Sequence, residues 1–362
     1  MNVDRRRLLK LLPASGLVLL AGCEESEEEK VARVERAVQA QKDSVQKPEE
    51  APAPQPTPEE KAAEDTTKKL ILYCAANLAD PFLRLQSTLM QAAVLQIDGY
   101  RFKTLDAAGD AGVQIGQLNK ALGERPAFLI VSPLEVHVTA GLTETFRNDG
   151  SVVIGLDERL GVGACTSVVF VSQKKLGQQA GQLVVEALKR KAADENKPRV
   201  TGRVVHLLGD AASFAAKARS EGFHEALKAE TGIVVVHEAP GGWTREAAKA
   251  RTEEALRLQH EFDVVFAHND VMAQGASEAL SAAQMRERVL IVGMDGGLDM
   301  LRKSVIDATI RQPMPMETAF EIIKKFAADK HFEPPSRTER EPEAVTPVNL
   351  DEVLGRMYKG GQ

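Results

Sequence analysis

From residue 70 onward, short apolar runs alternate with longer stretches of helical periodicity. Leu70-Ile71-Leu72-Tyr73-Cys74-Ala75-Ala76 opens the series, and Phe82, Leu85, Leu89, Ala92 and Ala93 then recur on one helical face. Further apolar runs end at Leu105, Val131, Leu156, Val171, Leu208, Val236, Phe266 and Val292, and helical patterns such as Leu176 to Leu188 and Ala212 to Leu227 lie between them. A short run that is apolar on every residue belongs to a strand covered on both faces, which is the condition of a parallel sheet. Repeated strand–helix units with right-handed crossovers build doubly wound parallel sheets. A folded part of nearly 300 residues exceeds what one core usually serves, so the fold class expected is α/β with two such sheets in consecutive lobes.

Three of the apolar runs end in polar clusters: Val264 to Asp270, Leu290 to Gly297, and Ala308 to Pro313. Ligands of open α/β sheets bind just beyond the carboxyl ends of the strands. Asn269, Asp295 and Gln312 should therefore converge on one crevice, with no obvious nucleophile among them. That pattern suits binding rather than catalysis, and no enzyme activity is expected.

Before residue 70 the character changes. Asp4-Arg5-Arg6-Arg7-Leu8-Leu9-Lys10 is a basic start, Leu11 to Leu20 is apolar but interrupted, and Leu20-Ala21-Gly22-Cys23 follows. This is an export signal over 1–23, too short and broken to span a bilayer. Cys23 after Leu-Ala-Gly resembles a lipoprotein cleavage box, which implies lipidation at Cys23. The arginine run resembles a twin-arginine signal, and an ordinary secretory n-region is the alternative. Residues 24–69 carry thirteen acids against eight bases, five of the chain's six net negative charges, and include Pro48 to Pro58 with five prolines and no aromatic residue. Such a segment cannot bury enough apolar surface to offset its ordering entropy and should be a disordered linker. What remains is almost neutral, which excludes the basic footprint of a nucleic-acid binder.

Four motifs resemble the ribose-type family of periplasmic binding proteins. Arg219-Ser220-Glu221-Gly222-Phe223 is similar to its Arg-x-x-Gly-Phe, and Asn269-Asp270-Val271-Met272-Ala273-Gln274-Gly275-Ala276 to its Asn-Asp-x-Met-Ala-x-Gly-Ala. Val292-Gly293-Met294-Asp295-Gly296 is similar to Val-Gly-Phe-Asp-Gly, and Ala308-Thr309-Ile310-Arg311-Gln312 to Ala-Thr-Ile-x-Gln. Order and spacing agree from about Leu70 to Leu354. The resemblance implies a type I periplasmic binding protein: lobes at 70–172 plus 313–343 and 173–312 plus 344–362, joined by a three-strand hinge and closing on a sugar or polyol. It implies that Arg219, Asn269, Asp295 and Gln312 bond ligand hydroxyls and that Trp243, the chain's single tryptophan, stacks on the ring. Hydroxyls both donate and accept, and a C–H face suits an aromatic platform.

The amino-terminal lobe departs from the pattern. The family's Asn-Pro-Phe-Phe is here Asp80-Pro81-Phe82-Leu83, its Asn-Pro is Ser132-Pro133, and its Asp-Arg is Asp157-Glu158-Arg159. Its hinge Asp-Asn is Ser172-Gln173. Asp80, Phe82, Ser132 and Asp157 complete the expected ligand set, with ribose itself in doubt. Plainer roles stand beside these. Asn269 or Asp270 is the N-cap of the next helix, Asp295-Gly296-Gly297 could be a capping turn, Trp243 and Phe82 could be packing, and Arg219 could pair with Glu221 or Asp295.

His137, His206, His224, His237, His260, His268 and His331 show no i,i+4 pair and no cysteine at ligand spacing, so no metal site and no cofactor are expected. Cys74 and Cys165 are expected as buried free thiols. The resemblance implies a monomeric, lipid-anchored periplasmic or cell-surface receptor delivering its ligand to the permease of an ABC transporter. The alternative is a sugar-sensing subunit for a membrane kinase or chemoreceptor. A sugar-responsive repressor would need a helix-turn-helix where the export signal and linker stand. Replacing Cys23 by alanine is expected to free the chain from the membrane fraction, and retention on fractionation would refute anchoring there.

Overall fold

The structure is a computed structural model that describes residues 67–259 and 261–359. The expected export signal, Cys23 and the linker up to residue 66 lie outside the described residues. The first lobe runs β1 (Lys69–Ala75), α1 (Pro81–Val94), β2 (Tyr100–Asp106), α2 (Ala111–Leu122), β3 (Phe128–Val131), α3 (Val136–Asn148), β4 (Val152–Gly155) and β5 (Ser167–Phe170). The second runs α4 (Gln173–Asp194), β6 (Gly202–Leu208), α5 (Phe214–Leu227), β7 (Ile233–Pro240), α6 (Arg245–Gln259), β8 (Val264–Ala267), α7 (Asp270–Ala282), β9 (Leu290–Met294), α8 (Leu298–Arg302) and β10 (Ala308–Arg311). The chain closes with α9 (Pro315–Ala328), β11 (Arg337–Glu339), β12 (Glu343–Val345) and α10 (Leu350–Lys359).

The apolar runs become strands buried on both faces: every residue of β3, β5, β8 and β9 is buried. Two six-stranded sheets result, ordered β11-β5-β4-β3-β1-β2 and β12-β10-β9-β8-β6-β7. The two orders repeat one topology, with strand direction of travel reversing between β1 and β3 and between β6 and β8. Those are the points where α/β sheets leave a crevice. Pairing is parallel throughout except at β12, which runs antiparallel to β10.

The chain crosses between the sheets three times, at 171–173, 311–315 and 340–342. After the first crossing, Leu176, Ala180, Val184 and Leu188 of α4 pack with Phe223 and Phe266 in the second lobe. After the second, Met316, Ala319, Ile322 and Ile323 of α9 return to the first lobe beside Ile71, Tyr73 and Ile130. Helix starts follow capping chemistry more than apolar periodicity. The pattern predicts a helix from Ala212, but α5 begins at Phe214 because the Ser213 hydroxyl accepts the Ala216 N–H at 3.1 Å. Cys74 and Cys165 are buried and unpaired in one core cluster of the first lobe.

Helices α4 and α5 touch backbone to backbone. A Cβ on Gly177 would lie 1.9 Å from the Arg219 carbonyl oxygen, and one on Gly222 would lie 2.0 Å from that of Lys174. Neither obstacle is a flexible side chain, so the helices must separate to admit a methyl group. Alanine gains about 1 kcal/mol over glycine in helix propensity, while overpacking costs about 1–3 kcal/mol. Gly222→Ala is therefore expected to destabilise the protein despite the propensity gain, read as a lowered urea midpoint. Unchanged stability would show that the helices have room.

Candidate functional site

Arg219 sits at the centre of the strand-end cluster, on the second full turn of α5, held there by the close helix contact. Only 6% of the residue is exposed. Its Nε donates to Gln173 Oε1 at 2.8 Å, its Nη2 to Gln312 Oε1 at 3.0 Å, and its Nη1 to the His268 carbonyl. The guanidinium lies 5.3 Å from the Trp243 ring centre and 3.8 Å from Asp295 Oδ1. Residues from α4, α5, the β8–α7 junction and the ends of β9 and β10 are thus gathered on one cation.

Asn269 is the N-cap of α7: its Oδ1 accepts the Met272 N–H at 2.8 Å, and its Nδ2 donates to the Trp243 carbonyl at 3.3 Å. The capping role accounts for Asn269 by itself, and its amide also fixes the loop that carries Trp243. Trp243 has φ of +64° and lies against Gly209, where a Cβ would come within 2.2 Å of the ring. Asp295 has φ of +103°. Left-handed backbone is costly for such residues and persists where surrounding structure imposes it, often at ligand sites.

Asp295 is the polar group left over. Among the described residues its carboxylate accepts no hydrogen bond, and its side chain is 28% exposed. Burial pushes its pKa up to about 7, the Arg219 charge opposes that rise, and Asp80 adds to it. Asp270 beside it is buried and its pKa is also raised, by burial first and then by Asp295. Its Oδ2 accepts from Gly297 N at 2.6 Å and Thr309 Oγ1 at 2.9 Å, which makes it a brace for the Asp295 turn. The alternative pairing of Arg219 with Glu221 does not occur, since Glu221 pairs with Lys174 at 2.8 Å.

The first lobe presents less. Asp80 is the N-cap of α1, its Oδ1 accepting from Phe82 N at 2.8 Å and Leu83 N at 3.2 Å. Its charge is felt at both Arg219 and Asp295. Phe82 is half-buried in the first turn of α1. Ser132 is buried and its hydroxyl pairs with Tyr73 Oη at 3.1 Å. Asp157 is held by Arg159, at 2.9 Å from Nε and 2.6 Å from Nη2. Arg159 in turn lies 4.4 Å from the ring centre of Phe214 in the second lobe, so it spans the lobes. Beside it Glu158 Oε1 accepts the Gln173 N–H at 3.0 Å.

Five residues of this neighbourhood carried no role in the sequence reading. Gln173 lies inside a quoted motif and Phe214 inside the helical pattern from Ala212 to Leu227, and both could have been weighed. His268 acts through a carbonyl, and Tyr73 and Gln114 act from within a strand and a helix; Gln114 holds Ser132 O and Leu134 N at 2.9 and 2.8 Å. Nothing in residue type or spacing announces such contacts.

Two α/β lobes with the same strand order and a polar cluster at their strand ends define a cleft-type binding architecture. The Periplasmic binding protein domain model matches residues 71–328, and the chain belongs to that family. A ribose import binding protein of Haemophilus influenzae is 27% identical over 256 residues, covering 69% of this chain and 81% of its own. A D-apiose import binding protein of Actinobacillus succinogenes is 26% identical, covering 70% of this chain and 79% of its own. The solute-binding protein of a Bacillus halodurans ABC transporter, solved with myo-inositol, superposes with a TM-score of 0.68 at 22% identity, over 80% of this chain and 99% of its own. The fructose-binding periplasmic domain of a hybrid two-component system gives 0.69 at 22%, over 81% and 95%. These two share the fold, that of type I periplasmic binding proteins.

A raised carboxyl pKa has a definite sign in stability. Between an unfolded value of about 3.9 and the folded value of about 7, the native state holds a proton at Asp295 that the unfolded chain has lost. Stability from this group is therefore present below about pH 4 and falls as pH rises toward 7. Asp295→Asn is expected to flatten that fall relative to the parent in denaturation series from pH 4 to 7. Parallel curves would show that Asp295 titrates normally.

Proposed function

We propose that this chain is an exported, lipid-anchored solute-binding protein that captures a sugar or polyol between its lobes and delivers it to an ABC transporter permease, without catalysing a reaction. The carrying observation is Asp295, whose carboxylate accepts no hydrogen bond among the described residues and lies beside the Arg219 cation and the Trp243 ring. Most of the neighbouring polar groups are committed: Arg219 to Gln173, His268 and Gln312, Asn269 to its cap and to Trp243. The open group is thus an acceptor suited to donating hydroxyls, which a carboxylate binds as charge-assisted hydrogen bonds. Trp243 offers the apolar face that a sugar ring's C–H groups require. Asp80, Phe82, Ser132 and Asp157 would face the ligand from the first lobe. The similarity to ribose and D-apiose import binding proteins supports delivery to a permease. A sensing role is the second reading, favoured by the similarity to the fructose-binding domain of a two-component system.

Binding through this cluster ties ligand affinity to stability, because a ligand that binds only the folded state raises its melting temperature. A thermal-shift screen of sugars and polyols identifies the ligand. With that ligand, Asp295→Ala or Trp243→Ala is expected to lower affinity about tenfold or more, equivalent to about 1.4 kcal/mol. Unchanged binding in calorimetry would move the site elsewhere.

A further inference from the structure

Three residues far apart in sequence meet on the edge of the second sheet. His206 on β6 and Glu238 on the edge strand β7 are register partners, and His224 on α5 approaches them. Glu238 Oε2 is 2.8 Å from His206 Nδ1 and 2.7 Å from His224 Nε2, and the three ligand atoms all lie within 4.8 Å of one another. The His206 ring is fully buried, while the side chains of His224 and Glu238 are 43% and 38% exposed.

We propose that His206, His224 and Glu238 form a binding site for a divalent transition-metal ion, with the remaining coordination positions open to water. Two imidazoles and a carboxylate are a donor set that Zn2+ accepts at about 2.0–2.2 Å. A tetrahedral ion with such bonds sets its ligand atoms about 3.3 Å apart, so the two contacts to Glu238 must open by about half an ångström and the two imidazole nitrogens, which lie within 4.8 Å of each other, must settle to that same spacing. The ligands come from two paired strands and a packed helix, so the set is held by the fold.

The outer partner of His206 makes the site distinctive. Gly209 N–H can only donate, and it points at His268 Nδ1 at 3.1 Å. His268 therefore carries its proton on Nε2 and donates it to His206 Nε2 at 2.8 Å. His206 must then carry its own proton on Nδ1, toward Glu238. An ion at His206 Nδ1 moves that proton to Nε2, moves the proton of His268 from Nε2 to Nδ1, and moves that of His224 from Nε2 to Nδ1. The protein neither gains nor loses a proton. Metal–ligand bonds form, the two contacts to Glu238 are replaced, and the Gly209 N–H loses its acceptor. An ion held by the three side chains is thus felt at Gly209, against which Trp243 packs.

Zn2+ titrated into the tag-free, chelator-treated full chain tests this by calorimetry. One saturable ion per chain is expected, weakened about tenfold or more by His224→Gln and by Glu238→Gln, and unaffected by Asp295→Asn. Long-range 1H–15N spectra should show the protonated nitrogen of His268 switching from Nε2 to Nδ1 on saturation. Absence of saturable uptake, uptake unaltered in both variants, or an unchanged His268 tautomer at saturation would each overturn the assignment.

Discussion

The second lobe is organised around one nearly dry cation. Burying a guanidinium without partners costs several kcal/mol, and the fold meets that cost at Arg219 with Gln173, Gln312 and the His268 carbonyl, drawn from three separate chain segments. These partners can meet only if α5 lies against α4 closely enough, and the glycine contacts at 177 and 222 permit that approach. Asp295 stays just beyond hydrogen-bonding distance at 3.8 Å. It feels the positive field yet keeps its lone pairs free. A structural necessity, satisfying a buried charge, thereby shapes the polar character of the cleft.

The same cluster reaches in two directions. Toward the first lobe, Gln173 holds Arg219 with its side chain and Glu158 with its backbone N–H, while Arg159 bridges from Asp157 to Phe214. The first interlobe crossing therefore ends on the residue that positions the cation. Toward the sheet edge, His268 holds Arg219 with its carbonyl and His206 with its ring. Burial lowers the pKa of both imidazoles. The ring order of protons is dictated by a single backbone N–H.

The departures from the ribose pattern also acquire a physical reading. Asp80 caps α1 through one oxygen and leaves the other free, and its charge is felt at Asp295 across the lobes. Two carboxylates and one committed guanidinium give the cleft an excess of acceptors. On the proposed function such a cleft would select ligands by the hydrogen-bond donors they carry, because a buried acceptor left unpaired costs about 1–3 kcal/mol.

What could be read from the chain alone was whatever depends on periodicity and local chemistry. Fully apolar runs such as Val264–Ala267 and Leu290–Met294 can be stable only between two covering layers, so two parallel-dominated α/β lobes followed from them, as did the position of polar residues at the strand ends. The antiparallel return of β12 had no such signature, since three-residue strands carry no period. The roles within the cluster were decided by tertiary structure. Asn269 is committed to capping and Asp295 is not, although both follow apolar strands. His206, His224 and Glu238 meet across two strands and a helix, where local spacing is silent. Periodicity records which face of each element is buried. Only the packing of those elements determines which polar groups satisfy one another and which remain free to bind.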